Sequence, residues 1–523
     1  MKTLQEYAAV GMGIAFHAKN LSEKKAIISE YGERTFQELN ENSNRYANFL
    51  LEKGLSPGDG VAIVCKNRPE FLEALFGPLR VGLRITPINW HLTPEEICYI
   101  VENCEAKVVV CDAIFPDFIE EINKQLPEVI VMSADGEHPL AIPFNETIAE
   151  YDESDISDPI AGRSMLYTSG TTGNPKGVVY SHRSMVLHTF GVMMADTIGI
   201  NEKDVLMPVV PMFHANSWGI AHAGVATGAT LVMPGADLSP TALATLIEDE
   251  KVTVAAGVPT IWMGVLPELK GRDTSALRSI PCGGSAVPKS LSEGYREQTG
   301  LPILQAWGMT ETSPIAAVCN IKSSLSDLNE DAKADLRTTV GLAVPGVDFR
   351  VVEPETGEEL PWDSESRGEL QVRGPWVAKT YYNDERANDS FTEDGWLKTG
   401  DVATVDSNGY ISLVDRTKDL IKSGGEWVSS VELENEIMAH PEVVEAAVIG
   451  ITSTKWGERP MACVVRSEDS QISSEDIISW LDDRVVKWWI PERVEFIDEV
   501  PKTSVGKFSK KTLRDQFSDV IVD

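Results

Sequence analysis

Short valine-rich runs alternating with stretches of helical period are what most constrain the fold of this chain. Gly60–Lys66 and Lys107–Cys111 are apolar almost throughout, the mark of strands covered on both faces in a parallel sheet. Nearby the period changes to that of a helix. Thr35, Phe36, Gln37 and Glu38 read as a capping box, and the helix it opens places Phe36, Leu39, Tyr46, Leu50 and Leu51 on one face before Gly54 ends it. Such alternation predicts α/β layers. Around Val347–Asp415 the helical period fades. Runs at Phe349–Val352, Gly368–Arg373 and Tyr410–Val414 recur between Gly, Pro and Asp turns, the pattern of a small β-barrel or twisted antiparallel piece. Afterwards Ser429 caps a helix to His440, Val443–Ile451 reads as a strand and Glu475–Trp489 as another helix. A chain of 523 residues exceeds one hydrophobic core. The boundary is expected at Asp415–Lys418, giving a large domain over 1–414, a hinge at 415–418 and a small α+β domain over 419–523.

Composition excludes several classes of partner. A net charge of −34 argues against nucleic acid, whose phosphates attract basic surfaces. No run of eighteen apolar residues is present, so no transmembrane helix is expected, while peripheral contact with a membrane stays open. The apolar stretch near Ala8–Phe16 follows Gln5 and Glu6 and reads as an amphipathic first helix rather than a signal peptide. Seven cysteines, with no Cys-x-x-Cys, predict neither disulfides nor zinc and point to a reducing cytoplasm. The eight histidines lack ligand spacing, and no structural metal is expected. Ser323–Arg337 is charged and reads as an exposed loop or short helix.

Chemistry concentrates first in Tyr167–Val178. Thr168, Ser169, Thr171 and Thr172 supply hydroxyls, and Gly170, Gly173 and Gly177 free backbone N–H groups to close around phosphate oxygens. Lys176 adds a point charge. The lysine is followed by glycine rather than Ser or Thr, so this is not a Walker loop.

The order of this loop resembles the signature of adenylate-forming enzymes, the superfamily of acyl-CoA synthetases, luciferases and peptide-synthetase adenylation domains. Further blocks follow in that family's order: Pro211–Trp218, Cys282–Ala286, Trp307–Thr312, Lys398–Asp401, Asp415–Trp427 and Pro501–Lys507. The resemblance implies activation of a carboxylate by ATP and magnesium, then transfer to CoA. Attack at the α-phosphorus requires charge neutralisation on both sides. Glu311 resembles the magnesium-binding glutamate, with Thr168 as the second metal-side residue. The nucleotide set it implies is Thr168, Ser169, Gly170, Thr171, Thr172, Gly173, Lys176, Gly283, Gly284, Ser285, Trp307, Gly308, Met309 and Thr310, completed by Asp401, Arg416 and Lys507. In that set Trp307 stacks on adenine where tyrosine is commoner, and Asp401 with Arg416 holds the ribose. Lys507 resembles the lysine that neutralises the carboxylate and α-phosphate during adenylation. In the family the C-terminal domain then rotates, here about Lys418, and brings Ser423, Gly424, Gly425, Glu426 and Trp427 to the site for CoA. Relatives are often homodimers.

The acid is narrowed by three places. His214, grouped with the catalytic residues, stands where amino-acid-activating relatives carry aspartate, which disfavours an amino acid. Gly308 stands where acetyl-activating relatives carry a tunnel-blocking tryptophan. Trp218 resembles the tryptophan that gates the tunnel of fatty acyl-CoA synthetases. Together with Asn216 and the apolar wall Gly257, Val258, Pro259 and Thr260, these residues form the expected acyl pocket. A medium- or long-chain fatty acid is the expected substrate. An aryl or short sulfur-containing acid, and transfer to a carrier protein instead of CoA, stay open as alternatives.

Overall fold

A computed structural model describes residues 2–168, 175–384, 389–424, 426–467, 470–503 and 507–523, with the side chain of Glu426 left aside. The valine-rich runs do form buried parallel strands. Gly60–Val64 lies between Ala106–Asp112 and Arg84–Pro87 in a seven-stranded sheet, and all five of its residues are buried. At one edge of that sheet Arg163–Thr168 turns back antiparallel to Lys176–Tyr180, so Thr168 and Lys176 face each other. A second sheet of five strands carries Val205–Pro208, Thr230–Met233 and Val254–Ala256 in parallel. Backbone bridges from Val254 to Ser279 and from Gly257 to Cys282 connect it to a four-stranded sheet. That sheet contains Pro281–Cys282, Leu304–Gly308 and Ile315–Val318. Strand ends from several sheets thus converge near residues 257, 283 and 308.

The region expected as a small β-barrel or twisted antiparallel piece is an open antiparallel sheet of Asp348–Val352, Gly368–Arg373, Leu397–Val405 and Ile411–Arg416, and no closed barrel forms among the described residues. Four strands are too few to curl and close around a packed interior. The last sheet lies entirely after Arg416: Ile421–Ser423, Glu426–Val428, Val443–Ser453, Gly457–Arg466, Arg493–Phe496 and Ile521–Val522. The protein is therefore a large N-terminal α/β part and a small C-terminal one.

Local chemistry explains the correspondence and its lapses. Thr35 Oγ1 accepts from Glu38 N at 3.2 Å while Thr35 N donates to Glu38 Oε2 at 2.8 Å, opening helix Phe36–Glu52. Phe36, Leu39, Tyr46 and Leu50 are buried, but Leu51 is 43 % exposed, because it lies a third of a turn beyond Leu50. The expected first helix splits into Leu4–Ala8 and Gly13–Asn20. Gly11 adopts φ +76° between them, where a Cβ would stand 2.3 Å from Leu79 O. The helix expected over Glu475–Trp489 stops at Leu481; Asp482 and Asp483 place negative charge at a helix C-terminus, where the dipole opposes it. Trp489 is buried from a separate 3₁₀ turn instead. All seven cysteines are buried free thiols.

Thr35→Ala is expected to cost about 1 kcal/mol by removing the N-cap acceptor. The measurement is the onset of urea unfolding, and an unchanged onset would show that packing alone sets this helix end.

Candidate active site

Two glycines at a strand end organise the site. After Cys282 the chain turns at Gly283, where a Cβ would meet Ala306 O at 2.5 Å and Trp218 Cη2 at 3.8 Å. Gly284 adopts φ +88°, and a Cβ there would stand 3.0 Å from Lys507 Cε, 3.4 Å from Val258 Cγ1 and 3.7 Å from Lys507 Nζ. Only glycine leaves this spot open to backbone approach. Ser285 follows in the same exposed turn. Thus residues from four distant blocks meet within a few ångströms.

Charges are distributed around that spot. Trp307 Nε1 donates to Asp401 Oδ2 at 3.0 Å, and Arg416 Nε lies 3.1 Å from Asp401 Oδ1. Asp401 and Arg416 are register partners in adjacent antiparallel strands, which fixes the pair by backbone geometry. Asp401 is only 3 % exposed, and burial pushes its carboxyl up against the opposing pull of Arg416 and the indole. Burial, then Arg416, push the Lys507 ammonium down to about 8, against Asp401 and Glu311. His214 is held neutral, its imidazole lowered to about 3 chiefly by burial and secondly by Lys507. It offers hydrogen bonds rather than charge.

Glu311 sits in the 3₁₀ turn Thr310–Thr312 and is 4 % exposed. Tyr381 OH donates to its Oε1 at 2.6 Å, and Tyr180 OH donates to Thr310 O at 2.6 Å. No group of three or more His, Cys, Asp or Glu side chains stands ready for a metal among the described residues. A single hard carboxylate nevertheless suits magnesium, which takes one or two protein oxygens together with phosphate oxygens and water. On the opposite strand ends, Thr168 faces Lys176, whose Nζ lies 4.8 Å from the Tyr381 ring centroid. Ser169, Gly170, Thr171, Thr172 and Gly173 lie outside the described residues.

The acid side is built differently. Gly257 bridges to Cys282, Val258 points at Gly284, and Pro259 and Thr260 open the helix Pro259–Glu268. From His214 the chain enters four consecutive left-handed residues, Ala215, Asn216, Ser217 and Trp218, with φ of 48°, 52°, 50° and 58°. Ser217 Oγ donates to Val210 O at 2.6 Å, and Asn216 Nδ2 lies 3.1 Å from His222 Nε2. Asn216 Oδ1 is buried without a hydrogen-bond partner. The turn delivers the Trp218 ring to Gly283.

At Gly308 a Cβ would stand 1.8 Å from Pro314 O and 3.1 Å from Thr312 Oγ1, so the hairpin itself demands glycine here. Met309 N donates to Thr312 Oγ1 at 2.9 Å within the same hairpin end.

Among the described residues, the expected CoA residues make their contacts elsewhere. Ser423 accepts from Arg459 Nη1 at 3.1 Å, Gly424 N donates to Trp456 O at 2.8 Å, and Trp427 lies under Lys422 Nζ at 5.2 Å. Gly425 lies outside the described residues. Tyr381, Tyr180 and the half-exposed Trp456 beside Gly424 were missed in the sequence, being neutral aromatics without a motif of their own.

The chain matches the family model described as AMP-binding enzyme over residues 14–382, and the AMP-binding enzyme C-terminal domain over residues 432–507. It is 39 % identical over 500 residues to a medium-chain-fatty-acid–CoA ligase of Ectopseudomonas oleovorans, covering 93 % of this chain and 91 % of that one. It is 40 % identical over 495 residues to a 3-methylmercaptopropionyl-CoA ligase of Ruegeria pomeroyi, covering 92 % and 91 %. The crystal structure of the anthranilate CoA ligase AuaEII in complex with anthranoyl-AMP superposes with a TM-score of 0.87 at 26 % identity, covering 96 % of each chain.

Gly308→Ala is expected to open the hairpin and displace Trp307 and Glu311 together. A misplacement of about 1 Å costs about 100-fold in rate, so pyrophosphate release should fall by that order. Unchanged turnover would show that the hairpin yields to the added methyl.

Proposed function

This chain belongs to the AMP-binding enzyme family, and we propose that it is an AMP-forming acyl-CoA ligase acting on a medium- or long-chain fatty acid. The observation that carries the reading is Lys507, a cation from the C-terminal part set against Gly284 beside Asp401 and Glu311. In the first step a carboxylate oxygen attacks the α-phosphorus of ATP as the bond to pyrophosphate breaks. Lys507 neutralises the charge shared by the carboxylate and α-phosphate. Trp307 and the Gly283–Ser285 turn receive adenine, and Asp401 with Arg416 receives the ribose. Glu311 and Thr168 would hold magnesium, which would supply positive charge against the phosphates. The thiol of CoA then attacks the acyl carbonyl and displaces AMP.

The two steps need different partners at one spot, which is the reason for proposing domains 1–414 and 419–523 about a hinge at 415–418. Lys418 is the proposed pivot. On one side Thr417 N donates to Gly400 O at 2.9 Å; on the other Arg514 Nη1 lies 2.7 Å from Asp419 Oδ1. Lys418 stands between these anchors. Ser423, Gly424 and Trp427 make their contacts within their own part, which suits the adenylating arrangement.

A second reading, a short acid bearing a heteroatom, is favoured by Asn216, whose buried unpartnered Oδ1 is out of place in a purely apolar wall. The resemblance to a 3-methylmercaptopropionyl-CoA ligase points the same way. Pyrophosphate release measured with straight-chain acids from acetate to stearate and with methylthio acids, each with and without CoA, separates these readings. Activity confined to the short methylthio acids would reverse the choice, and absence of a CoA thioester would point to a carrier-protein acceptor. No helix is long and apolar enough to cross a membrane among the described residues. The cytoplasm is the proposed compartment, since every cysteine is a free buried thiol. A homodimer and a peripheral membrane contact belong to the proposal on resemblance alone.

Lys507→Ala is expected to lower pyrophosphate release by about two orders of magnitude or more, as loss of a preorganised charge does. Thioester formation from prepared acyl-AMP and CoA should stay near normal. Equal loss in both half-reactions would overturn the domain-alternation reading.

The same lysine sets a pH dependence. Its charged form is the active one, and it loses its proton as pH rises through about 8 in the free enzyme. Adenylation kcat/KM, which reports the free enzyme, should therefore fall above that pH. In kcat the limb should move higher, because bound phosphates favour the ammonium. Lys507→Arg should abolish the limb; its persistence would assign the titration to another group.

A further inference from the structure

Segment Trp376–Tyr382 has no place in the roles above, yet it touches both phosphate-side elements. Trp376 Nε1 donates to Ile315 O at 3.0 Å, and Ser313 Oγ donates to Trp376 O at 2.6 Å, which ties the segment to the chain just past Glu311. Ala378 N donates to Glu311 O at 2.7 Å, and Tyr382 N donates to Gly177 O at 2.8 Å. Between them stands Tyr381, 8 % exposed. Its hydroxyl donates to Glu311 Oε1 at 2.6 Å while its ring face lies 4.8 Å from Lys176 Nζ.

We propose that Tyr381 is a positioning residue that holds the Glu311 carboxylate for the metal and stations the Lys176 ammonium at the start of its strand, opposite Thr168. A glutamate on a three-residue turn has several rotamers to choose from, and ordering it at the moment of metal binding would weaken affinity. One charge-assisted O–H···O⁻ bond from a buried donor selects the rotamer beforehand and occupies Oε1, so that Oε2 is the oxygen offered to a cation. The ring serves the second partner through its π face, an attraction that persists while the ammonium turns. Glu311 and Lys176 are 135 positions apart in sequence (311 − 176), and this single side chain touches both.

The inference rests on Glu311 being a magnesium ligand, and the test separates the two. The probe is Mn²⁺ titrated by electron paramagnetic resonance into the enzyme with an ATP analogue carrying a methylene bridge between the α- and β-phosphorus. Tyr381→Phe is expected to weaken Mn²⁺ binding by about ten- to a hundredfold, the loss of one hydrogen bond to a charged group. Pyrophosphate release should fall in step, and thioester formation from prepared acyl-AMP and CoA should be unchanged because that step uses no phosphate tail. Tyr381→Leu should in addition raise the KM for ATP. Glu311→Gln should abolish Mn²⁺ binding, and combining it with Tyr381→Phe should add nothing further. Wild-type Mn²⁺ affinity in Tyr381→Phe, with Glu311→Gln losing it, overturns the proposal and leaves Glu311 as the ligand. Retained affinity in Glu311→Gln overturns the ligand reading and the proposal with it. Equal loss in both half-reactions of Tyr381→Phe assigns Tyr381 to folding alone and likewise overturns the proposal.

Discussion

The ammonium of Lys507 in a crevice of the larger part is the interaction on which the rest of the site depends. Taking a cation out of water is costly, and the nearby charges only partly offset it: Asp401 and Glu311 attract, Arg416 repels. The crevice is therefore arranged for charges still to come. Phosphates and a carboxylate supply them on the proposed reading, and the lysine then gains its full stabilisation only with substrates present. A contact between two parts of a chain that is strong only when substrate is bound is one that can be released afterwards. On the proposed reading, docking and departure of the C-terminal part would follow from the same electrostatics.

The scaffold around that charge is built from neutral hydrogen-bonding groups. His188 Nε2 accepts from Ile315 N at 3.2 Å, and burial lowers its imidazole to about 3, so it stays an acceptor across the working range. Tyr180 and Tyr381 donate as protonated phenols because burial raises both. Charged side chains are instead Lys507, Asp401, Arg416, Lys176 and Glu311, the groups assigned to ATP on the proposed reading. Such a division lets pH act on the chemistry without loosening the frame.

Much of the nucleotide side was legible in the sequence because its residues are chemically committed. Gly283 and Gly284 are glycines for steric reasons that any close backbone approach would impose, and Asp401, Arg416 and Lys507 are charges that need partners. They converge as expected. Tyr381 was not legible: a neutral side chain 70 residues from Glu311 acquires meaning only when the fold brings them to 2.6 Å. At Gly308 the missing side chain answers Pro314 O within its own hairpin, a steric demand the motif does not display. The α/β layers followed from apolar periodicity, whereas the barrel and the length of the helix after Glu475 depended on strand count and on two aspartates at a helix end.

The acid side resists motif reading for a physical reason. Trp218 reaches Gly283 from four successive non-glycine residues in the left-handed region, each costing roughly 1–2 kcal/mol relative to right-handed backbone. That strain is held by contacts outside the turn: Ser217 on Val210 O, Asn216 on His222, and Gly219 so close to His188 that a Cβ would stand 2.5 Å from Cε1. Val210, His222, Ser217, Gly219 and His188 need not touch an acid, yet they decide where the tryptophan and the unpartnered Asn216 oxygen stand. The nucleotide side rests on regular strands, so a residue's identity fixes its place there. On the acid side its place is fixed by neighbours of unrelated identity, and the shape of the pocket is set by backbone strain that no short pattern records. A short motif can therefore specify the charged cluster around Gly284 while leaving the placement of Trp218 unspecified.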